Sequence, residues 1–346
     1  MKFGRLLIRL LVVASLVDNI IAGSLSGHDI IVETDYLDYG FRRFPVVFHN
    51  EDGPRPGFAT LGIIHDDYSV VMFADLRRHR VLEDVDSWSL ETSGGSGGSI
   101  TVPTSMVVID LFGLPGLQTA IFAASFRSRF LEIARSFILT PKNLTNGQLI
   151  INPLNASRYA FEEQIYYASS LDEARLRIPV AIKVIPPPSR STDSSSGATY
   201  IVSRDDFHSC VIDDPSNGLW VPNSVYVDLF NQLDSLGIHH LDILESNQLS
   251  VTIVYNVTEE NIGLLPSLQF MILTDDDQVV SIQGLGPWDY IAPERAVEAG
   301  GGRPLILRTG TAGWGCTLSS KLINRMMVHI DGENARIGFG EPLDEI

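Results

Sequence analysis

The chain has 346 residues, 45% of them hydrophobic and 19% charged, which is enough apolar material for a large core and excludes extended disorder. Its 42 acidic residues outnumber 25 basic ones, and the net charge of −17 argues against a nucleic acid or an anionic lipid surface as partner. The two cysteines permit at most one internal disulfide, which excludes a disulfide-rich scaffold and a cysteine-rich zinc module.

The N-terminus has the pattern of a secretory signal peptide. Basic residues precede a short apolar run at 10–17, and small residues follow at Ala22 and Gly23. The run is well short of the ~20 apolar residues of a membrane span, so we expect cleavage after residue 22, with a signal anchor as the alternative. The same route is favoured by three Asn-x-Ser/Thr sequons, which are candidate glycosylation sites: Asn143, Asn155 and Asn256.

The apolar runs that follow are typical of β-strands. They are short, rich in β-branched residues and bounded by Gly, Pro, Asn or Asp. We therefore expect a mainly β protein, with strands at 58–64, 68–73, 105–111, 120–124, 148–151, 179–185, 249–255, 268–273 and 278–282.

Helical patterns are few. Residues 225–236 follow a plausible cap at 222–224 and place on one helical face Val225, Leu229, Leu233 and Leu236. A second helix is predicted at 318–327. The Gly/Ser segment 94–99 predicts a loop, and the low-complexity segment 186–198 predicts a linker near the middle of the chain.

Two apolar runs, 70–75 and 210–213, end in aspartate. The simplest interpretation is a strand entering a turn. If Asp75 and Asp213 lie close together, however, they share a proton, because two adjacent carboxylates do not both ionise. One carboxylate then activates a water molecule while the other protonates a carbonyl oxygen, which is the chemistry of acid proteolysis.

The C-terminal segment 317–339 contains Val-His-Ile-Asp at 328–331 and Arg-Ile-Gly-Phe at 336–339. It resembles the closing segment of the pepsin-like aspartic proteases, which has a turn, a short helix, a strand ending in Asp, and Arg-Ile-Gly-Phe. Residues 212–222 resemble the segment around the second catalytic aspartate, and 265–270 resemble a Leu-Pro-x-Ile-x-Phe strand. In the first half, segments between residues 57 and 151 follow the family's order of strands.

This resemblance implies a mainly β, bilobal pepsin-like aspartic protease fold with a shortened N-terminal lobe. The implied organisation is a signal peptide at 1–22, an N-terminal extension at 23–56, the N-terminal lobe with inter-lobe strands at 57–178, and the C-terminal lobe at 179–346. It also implies a monomer that is secreted or lies within the endomembrane or vacuolar system, does not associate with membranes after signal cleavage, and holds a peptide or protein ligand in the inter-lobe cleft.

The resemblance places the catalytic pair at Asp75 and Asp213, with Ser216 as polar support beside the second aspartate. The flap over the site corresponds to the region of Gly95 and Ser99, without the family's flap tyrosine. The nucleophile in this family is a water molecule held by the two aspartates, so no cofactor and no metal is implied.

The two catalytic motifs depart from the family, which has Asp-Thr-Gly or Asp-Ser-Gly twice. The second site reads Asp213-Asp214-Pro215, and proline offers no N–H to the carboxylate. The first reads Asp75-Leu76-Arg77. We therefore predict a catalytically inactive homologue, a pseudoprotease that binds peptides or proteins. The alternative is an active aspartic endopeptidase working at acid pH.

Other clusters have plainer interpretations. Cys210 and Cys316 each precede a segment that matches the family; a disulfide is favoured over two buried thiols in an oxidising compartment. A metal site at 239–245 lacks a third fixed ligand, so a solvated helix end is favoured. The aspartates at 275–277 predict a hairpin tip rather than a calcium site, and Asp110 predicts a hairpin residue.

Overall fold

The structure, a computed structural model, describes a large part of the chain. The described residues are 29–36, 42–50, 53–64, 69–75, 87–90, 101–103, 107–110, 118–122, 136–143, 145–171, 177–187, 202–213, 219–244, 250–291, 302–305, 307–309 and 316–343. The predicted signal peptide, the loop 94–99 with Gly95 and Ser99, most of the linker 186–198 and Ser216 lie outside these residues.

The secondary structure is dominated by short strands. In chain order these are β1 (Ile30–Tyr36), β2 (Arg42–Asn50), β3 (Gly53–Ile64), β4 (Ser69–Asp75), β5 (Ser87–Leu90), β6 (Thr101–Pro103), β7 (Val107–Asp110), β8 (Gln118–Phe122), β9 (Ser136–Pro141), β10 (Asn146–Ile151), β11 (Tyr166–Ser169), β12 (Arg177–Ile185), β13 (His208–Asp213), β14 (Leu219–Val221), β15 (His240–Leu244), β16 (Ser250–Val254), β17 (Ser267–Leu273), β18 (Val279–Leu285), β19 (Arg303–Pro304), β20 (Leu307–Thr309), β21 (Cys316–Ser319), β22 (Met327–Asp331) and β23 (Arg336–Gly340).

The α-helices of the described residues are α1 (Asn223–Ser235), α2 (Pro287–Tyr290) and α3 (Ser320–Ile323). Short 3₁₀ turns lie at Ala156–Tyr159, Phe161–Glu163, Arg204–Asp206 and Ile262–Leu264. The segments predicted as strands each contribute to a strand of the structure, so the mainly β expectation is confirmed.

The chain divides into two compact units. Unit 1 contains the described residues of 1–165 together with 324–346, and unit 2 contains those of 166–323. The last two strands, β22 and β23, therefore cluster with the first half of the chain.

Unit 1 is built on one large sheet whose strands follow the order β23–β22–β9–β10–β1–β2–β3–β4–β8–β7, with β5 paired to β2 and β6 to β5. Its core lies around β9, β10 and β22, where Phe137, Ile138, Leu149 and Val328 are at most 1% exposed. A cluster of buried side chains packs beneath the 3₁₀ turns at 156–163 and consists of Ile138, Ile150, Ala160 and Met327.

Strand β1 lies inside this sheet, between β10 and β2. Its residues alternate in burial: Val32 is 0% exposed and Thr34 2%, whereas Glu33 lies towards solvent and forms an ion pair of 2.9 Å with Lys142. At the start of β1, the Asp29 carboxylate accepts hydrogen bonds from Leu154 N (2.9 Å) and from the Tyr159 hydroxyl. β1 thus pairs with β10 over Ile30–Asp35 and with β2 at Asp35 and Tyr36, and the residue before it, Asp29, is held by two hydrogen bonds.

Unit 2 contains three smaller sheets, ordered β18–β17–β12–β13–β21, β15–β16–β19 and the pair β14–β20. Helix α1 packs its apolar face into this core, with Val225, Leu229, Phe230 and Leu233 buried. Three of these belong to the predicted face, whereas the predicted Leu236 lies just beyond the end of the helix and is half-buried. The Tyr290 side chain is fully buried, and its hydroxyl donates to Pro266 O at 2.6 Å.

Two helical predictions need correction. Helix α1 begins at Asn223, and its N-cap is Pro222 without a capping side chain, so the expected cap at 222–224 does not form. The second predicted helix, 318–327, is helical only over Ser320–Ile323. Leu318 instead belongs to β21, where it is 0% exposed and pairs with Ile212, because burial in the sheet outweighs the local helical pattern.

Candidate functional site

The second aspartate segment begins at the end of a buried strand in unit 2. Asp213 is the last residue of β13, and Val211 and Ile212 before it are at most 1% exposed. β13 pairs in parallel with β21, and this register places Asp213 opposite Ser319. Asp213, which the family resemblance predicts as a catalytic residue, is thus the last residue of this strand.

Two parallel pairs frame this strand end. β13 pairs with β21, and β14, the strand that follows the 214–218 segment, pairs with β20. The Trp220 amide of β14 donates to Thr317 Oγ of β21 at 3.0 Å, so a hydrogen bond also links β14 to β21. Thr317 and Ser319 are 3% and 2% exposed, and they lie in the segment Thr-Leu-Ser-Ser at 317–320, which replaces the family's Ile-Leu-Gly-Asp.

A disulfide joins the two strands. Cys210 and Cys316 are direct Cα partners in the β13–β21 register and are bonded to each other, with their Cα atoms 4.5 Å apart. Both are 0% exposed. The bond lies three residues before Asp213 and connects positions 106 residues apart in the chain, so it ties the Asp213 strand to the strand that pairs with it.

The first aspartate also ends a strand, in unit 1. Asp75 is the last residue of β4 and pairs with Thr119 of β8. β4 pairs antiparallel with β3. Asp110 ends β7 and pairs with Gln118 of β8, which places it at the same end of the sheet as Asp75.

A polar cluster that sequence reasoning missed lies in the core of unit 1. His329 of β22 is 6% exposed, and its Nε2 atom shares a hydrogen bond of 2.6 Å with Ser136 Oγ of β9. Burial lowers the pKa of His329 to about 4, although the Asp331 carboxylate acts to raise it. The hydrogen bond joins residues 193 positions apart, and all five residues of β22 are buried, so no local alternation marks the histidine in the sequence.

Asp331 extends this cluster towards the β22–β23 turn. Its carboxylate accepts hydrogen bonds from Asn334 Nδ2 at 2.7 Å and from Arg336 Nε at 2.8 Å. Burial acts to raise the pKa of Asp331, but these hydrogen bonds outweigh burial and lower it overall. The Asp331 carboxylate therefore stabilises the β22–β23 turn through its hydrogen bonds to Asn334 and Arg336.

The acidic tip of the β17–β18 hairpin is held by local contacts. Asp275 accepts from Ser169 Oγ at 2.7 Å, Asp276 from Thr274 Oγ at 2.5 Å, and Asp277 forms an ion pair of 2.9 Å with Arg204. Among the residues that the structure describes, no group of three or more His, Cys, Asp and Glu side chains is arranged to hold a metal ion.

The histidines of the 239–245 segment lie beside helix α1. His240 packs its ring 4.2 Å from that of Phe230, and its Nδ1 atom lies 3.5 Å from the Asp234 carboxylate. His239 is exposed.

Across the described ranges, no helix combines the length and the apolar character that a membrane crossing requires.

Comparison with known proteins supports the architecture. No family model matches the chain, and no curated protein matches its sequence. Among solved structures, the chain is similar to the crystal structure of an aspartic proteinase from Irpex lacteus, at 12% identity and a TM-score of 0.50. The match covers 92% of this chain and 98% of the proteinase. The chain thus has a mainly β, pepsin-like aspartic protease fold.

Proposed function

We propose that this chain is a pepsin-like aspartic protease homologue that does not cleave peptide bonds and that binds peptides or proteins. One observation carries the proposal: the strand framework that ends at Asp213 is kept, whereas the residues that follow Asp213 are not those of the family. β13, β21 and the disulfide between them form a buried frame, and the sequence at the strand end reads Asp213-Asp214-Pro215.

The chemistry at the second strand end argues against catalysis. In the family, a glycine two positions after the aspartate donates its N–H to the carboxylate, and Pro215 has no N–H to donate. Asp214 adds a second carboxylate beside the first. Two adjacent carboxylates compete for one proton, so Asp213 loses the environment in which a single shared proton serves the reaction.

The first strand end argues in the same direction. Asp75 is followed by Leu76, Arg77 and Arg78, with neither the threonine nor the glycine of the family. Guanidinium groups so near in sequence favour an ionised Asp75 and disfavour a shared proton. A dyad needs one protonated and one ionised carboxyl group, so both ends of the proposed pair are altered.

A secretory destination is part of the proposal. The apolar N-terminal run and the sequons indicate the secretory route. The buried Cys210–Cys316 disulfide supports it, because such bonds form and persist in oxidising compartments.

Peptidase activity is the direct test. We expect no cleavage of a mixed peptide library by the purified, folded protein from about pH 3 to 7. The variant Asp213→Asn and a statine-type inhibitor serve as active-site controls, and Asp205→Asn, at an exposed residue of a 3₁₀ turn, serves as the matched acidic control. Cleavage that Asp213→Asn and the inhibitor abolish, and that Asp205→Asn retains, would establish the active endopeptidase instead.

Binding is tested separately from cleavage. We expect the protein to retain a subset of the same library on an affinity column, and Pro215→Gly to change which peptides are retained. Asp205→Asn is expected to retain the wild-type subset. A column that enriches no peptide, with protein that elutes as a folded species, would contradict the binding proposal.

A further inference from the structure

The turn between β9 and β10 presents the first sequon. Asn143 is exposed, and its Oδ1 atom accepts hydrogen bonds from Thr145 N (2.8 Å), Thr145 Oγ (2.9 Å) and Asn146 N (2.9 Å). Among the described residues, no acceptor lies within hydrogen-bonding distance of Asn143 Nδ2. The turn thus fixes the amide oxygen towards the backbone and leaves the amide nitrogen on the solvent side.

The segment after β10 presents the second sequon in a similar way. Asn155 is exposed and caps the 3₁₀ turn Ala156–Tyr159, where its Oδ1 atom accepts from Ser157 N (3.2 Å) and Ser157 Oγ (2.8 Å). Ala156 and Tyr159 of this turn pack against the buried cluster of unit 1, which holds the turn on the core. In the described part of the chain, Asn155 Nδ2 also has no acceptor.

The third sequon, at Asn256, differs from the other two in the hydrogen bonds of its amide nitrogen and of its hydroxyl residue. Asn256 Nδ2 donates to Gly237 O at 3.4 Å, and Asn256 has a positive φ of 65°. The hydroxyl of Thr258 does not serve the Asn256 side chain but accepts from Asn261 N at 3.3 Å. Here the amide nitrogen contributes to the local structure, whereas in the other two sequons the amide oxygen does.

The geometry points to Asn143 and Asn155 as the residues of this chain that carry N-linked glycans. The reaction attaches Nδ2 to the anomeric carbon of a lipid-linked oligosaccharide diphosphate. The carbon–oxygen bond to the diphosphate breaks, the diphosphate leaves with the bonding electrons, and Nδ2 releases one proton to a base of the transferase. At both residues the folded chain keeps its Oδ1 hydrogen bonds after this change. This assignment rests on the secretory route proposed above and is independent of peptide binding.

An exposed apolar side chain supports the second site. Leu154, next to Asn155, is 63% exposed, which makes it the most exposed of the large hydrophobic residues described. A glycan on Asn155 covers this neighbourhood with hydrated sugar and lowers the apolar area in contact with water.

The test uses the full chain, with its own N-terminus, expressed in a eukaryotic host. Glycopeptide mass spectrometry and treatment with a peptide N-glycosidase are expected to show two glycans, with both asparagines converted to aspartate on removal. Thr145→Ala and Ser157→Ala are each expected to lose one glycan, and the double variant to lose both. Thr145→Ser and Ser157→Thr keep the sequons and are expected to keep both glycans. These variants distinguish loss of the sequon from an effect of the substitution on folding.

Asn256→Gln provides the structural comparison. We expect it to leave the glycan mass unchanged. Loss of a glycan in Asn256→Gln would overturn the distinction between the sequons, and unmodified Asn143 and Asn155 in the wild-type protein would overturn the assignment. Peptide binding, measured on unglycosylated protein from a bacterial host, tests the proposed function independently, so the two failures are distinguishable.

Discussion

His329 makes the stability of unit 1 depend on pH. The residue is 6% exposed, and burial lowers its pKa to about 4, whereas in the unfolded chain an ordinary histidine has a pKa of about 6.5. Above pH 6.5 the residue is neutral in both states and has no effect on the free energy of unfolding. As the pH falls from 6.5 towards 4, the unfolded chain binds a proton that the folded chain does not, so stability is lost.

The variant His329→Gln tests this consequence. Between pH 7 and 4 we expect the wild-type protein to lose about 3 kcal/mol that the variant does not lose, since one pKa unit corresponds to about 1.4 kcal/mol. Urea midpoints at a series of pH values measure the difference. The variant His239→Gln, at an exposed histidine, is the control, and its urea midpoints should follow those of the wild-type protein. Parallel pH curves for wild type and His329→Gln would contradict the assignment.

The same residue bears on function. An acid peptidase has to keep its fold at the pH where its aspartates share a proton, and a buried neutral histidine opposes folding there. Asp331 adds to this trend at lower pH, because its lowered pKa means that stability is lost as the pH falls below the usual aspartate range. Both groups are therefore expected to make the folded state less stable at acid pH than at neutral pH.

Among the elements, β1 is a strand of the sheet that the sequence did not predict, since residues 23–56 were expected to form an N-terminal extension. Its alternation of buried Ile30, Val32 and Thr34 with the more exposed Ile31, Glu33 and Asp35 has the period of a strand, although Ile31 also packs against the buried cluster of unit 1. We expect Val32→Ala to lower the free energy of unfolding of unit 1 by about 2 kcal/mol, because Val32 is fully buried and pairs with the equally buried Leu149 of β10.

Glu33→Gln is the matched control on the neighbouring, outward position. It removes a partly exposed ion pair with Lys142 and is expected to cost at most about 0.5 kcal/mol. Thermal unfolding of the full chain measures both changes. Equal effects of the two substitutions would mean that β1 is not an integral strand of the sheet.

The predictable elements share one property: their signal is local. Short β-branched runs bounded by turn residues identified strands such as β12 and β17, and apolar spacing identified α1. The helix prediction for 318–327 was wrong at its start. The local pattern there is helical, but Leu318 and Ser319 pair with β13, and this pairing decides their structure. Other partners are also distant in sequence: Ser319 is the Cα partner of Asp213 in the β13–β21 register, and Ser136 Oγ shares a hydrogen bond with His329 Nε2.

For the whole molecule, the disulfide is the strongest single constraint described. Reduction, or Cys210→Ala combined with Cys316→Ala, is expected to lower the free energy of unfolding by about 4 kcal/mol, because the bond closes a loop of more than a hundred residues. Denaturant midpoints with and without reductant measure the loss. Thiol labelling of the denatured, unreduced protein is the control and should find neither cysteine free; two labelled thiols would contradict the bond.

The assembly of unit 1 from 1–165 and 324–346 bears on the order in which the chain folds. Unit 2 is one continuous stretch, so its contacts become available as soon as residue 323 has been synthesised. The central β9–β22 pairing in unit 1 joins Ser136 to Asp331 and must wait for the rest of the chain. Contacts between such distant residues carry a large loop-closure cost and are formed slowly. We therefore expect refolding in two kinetic phases, the fast one belonging to unit 2 and the slow one to the closing of the unit 1 sheet by its final strands.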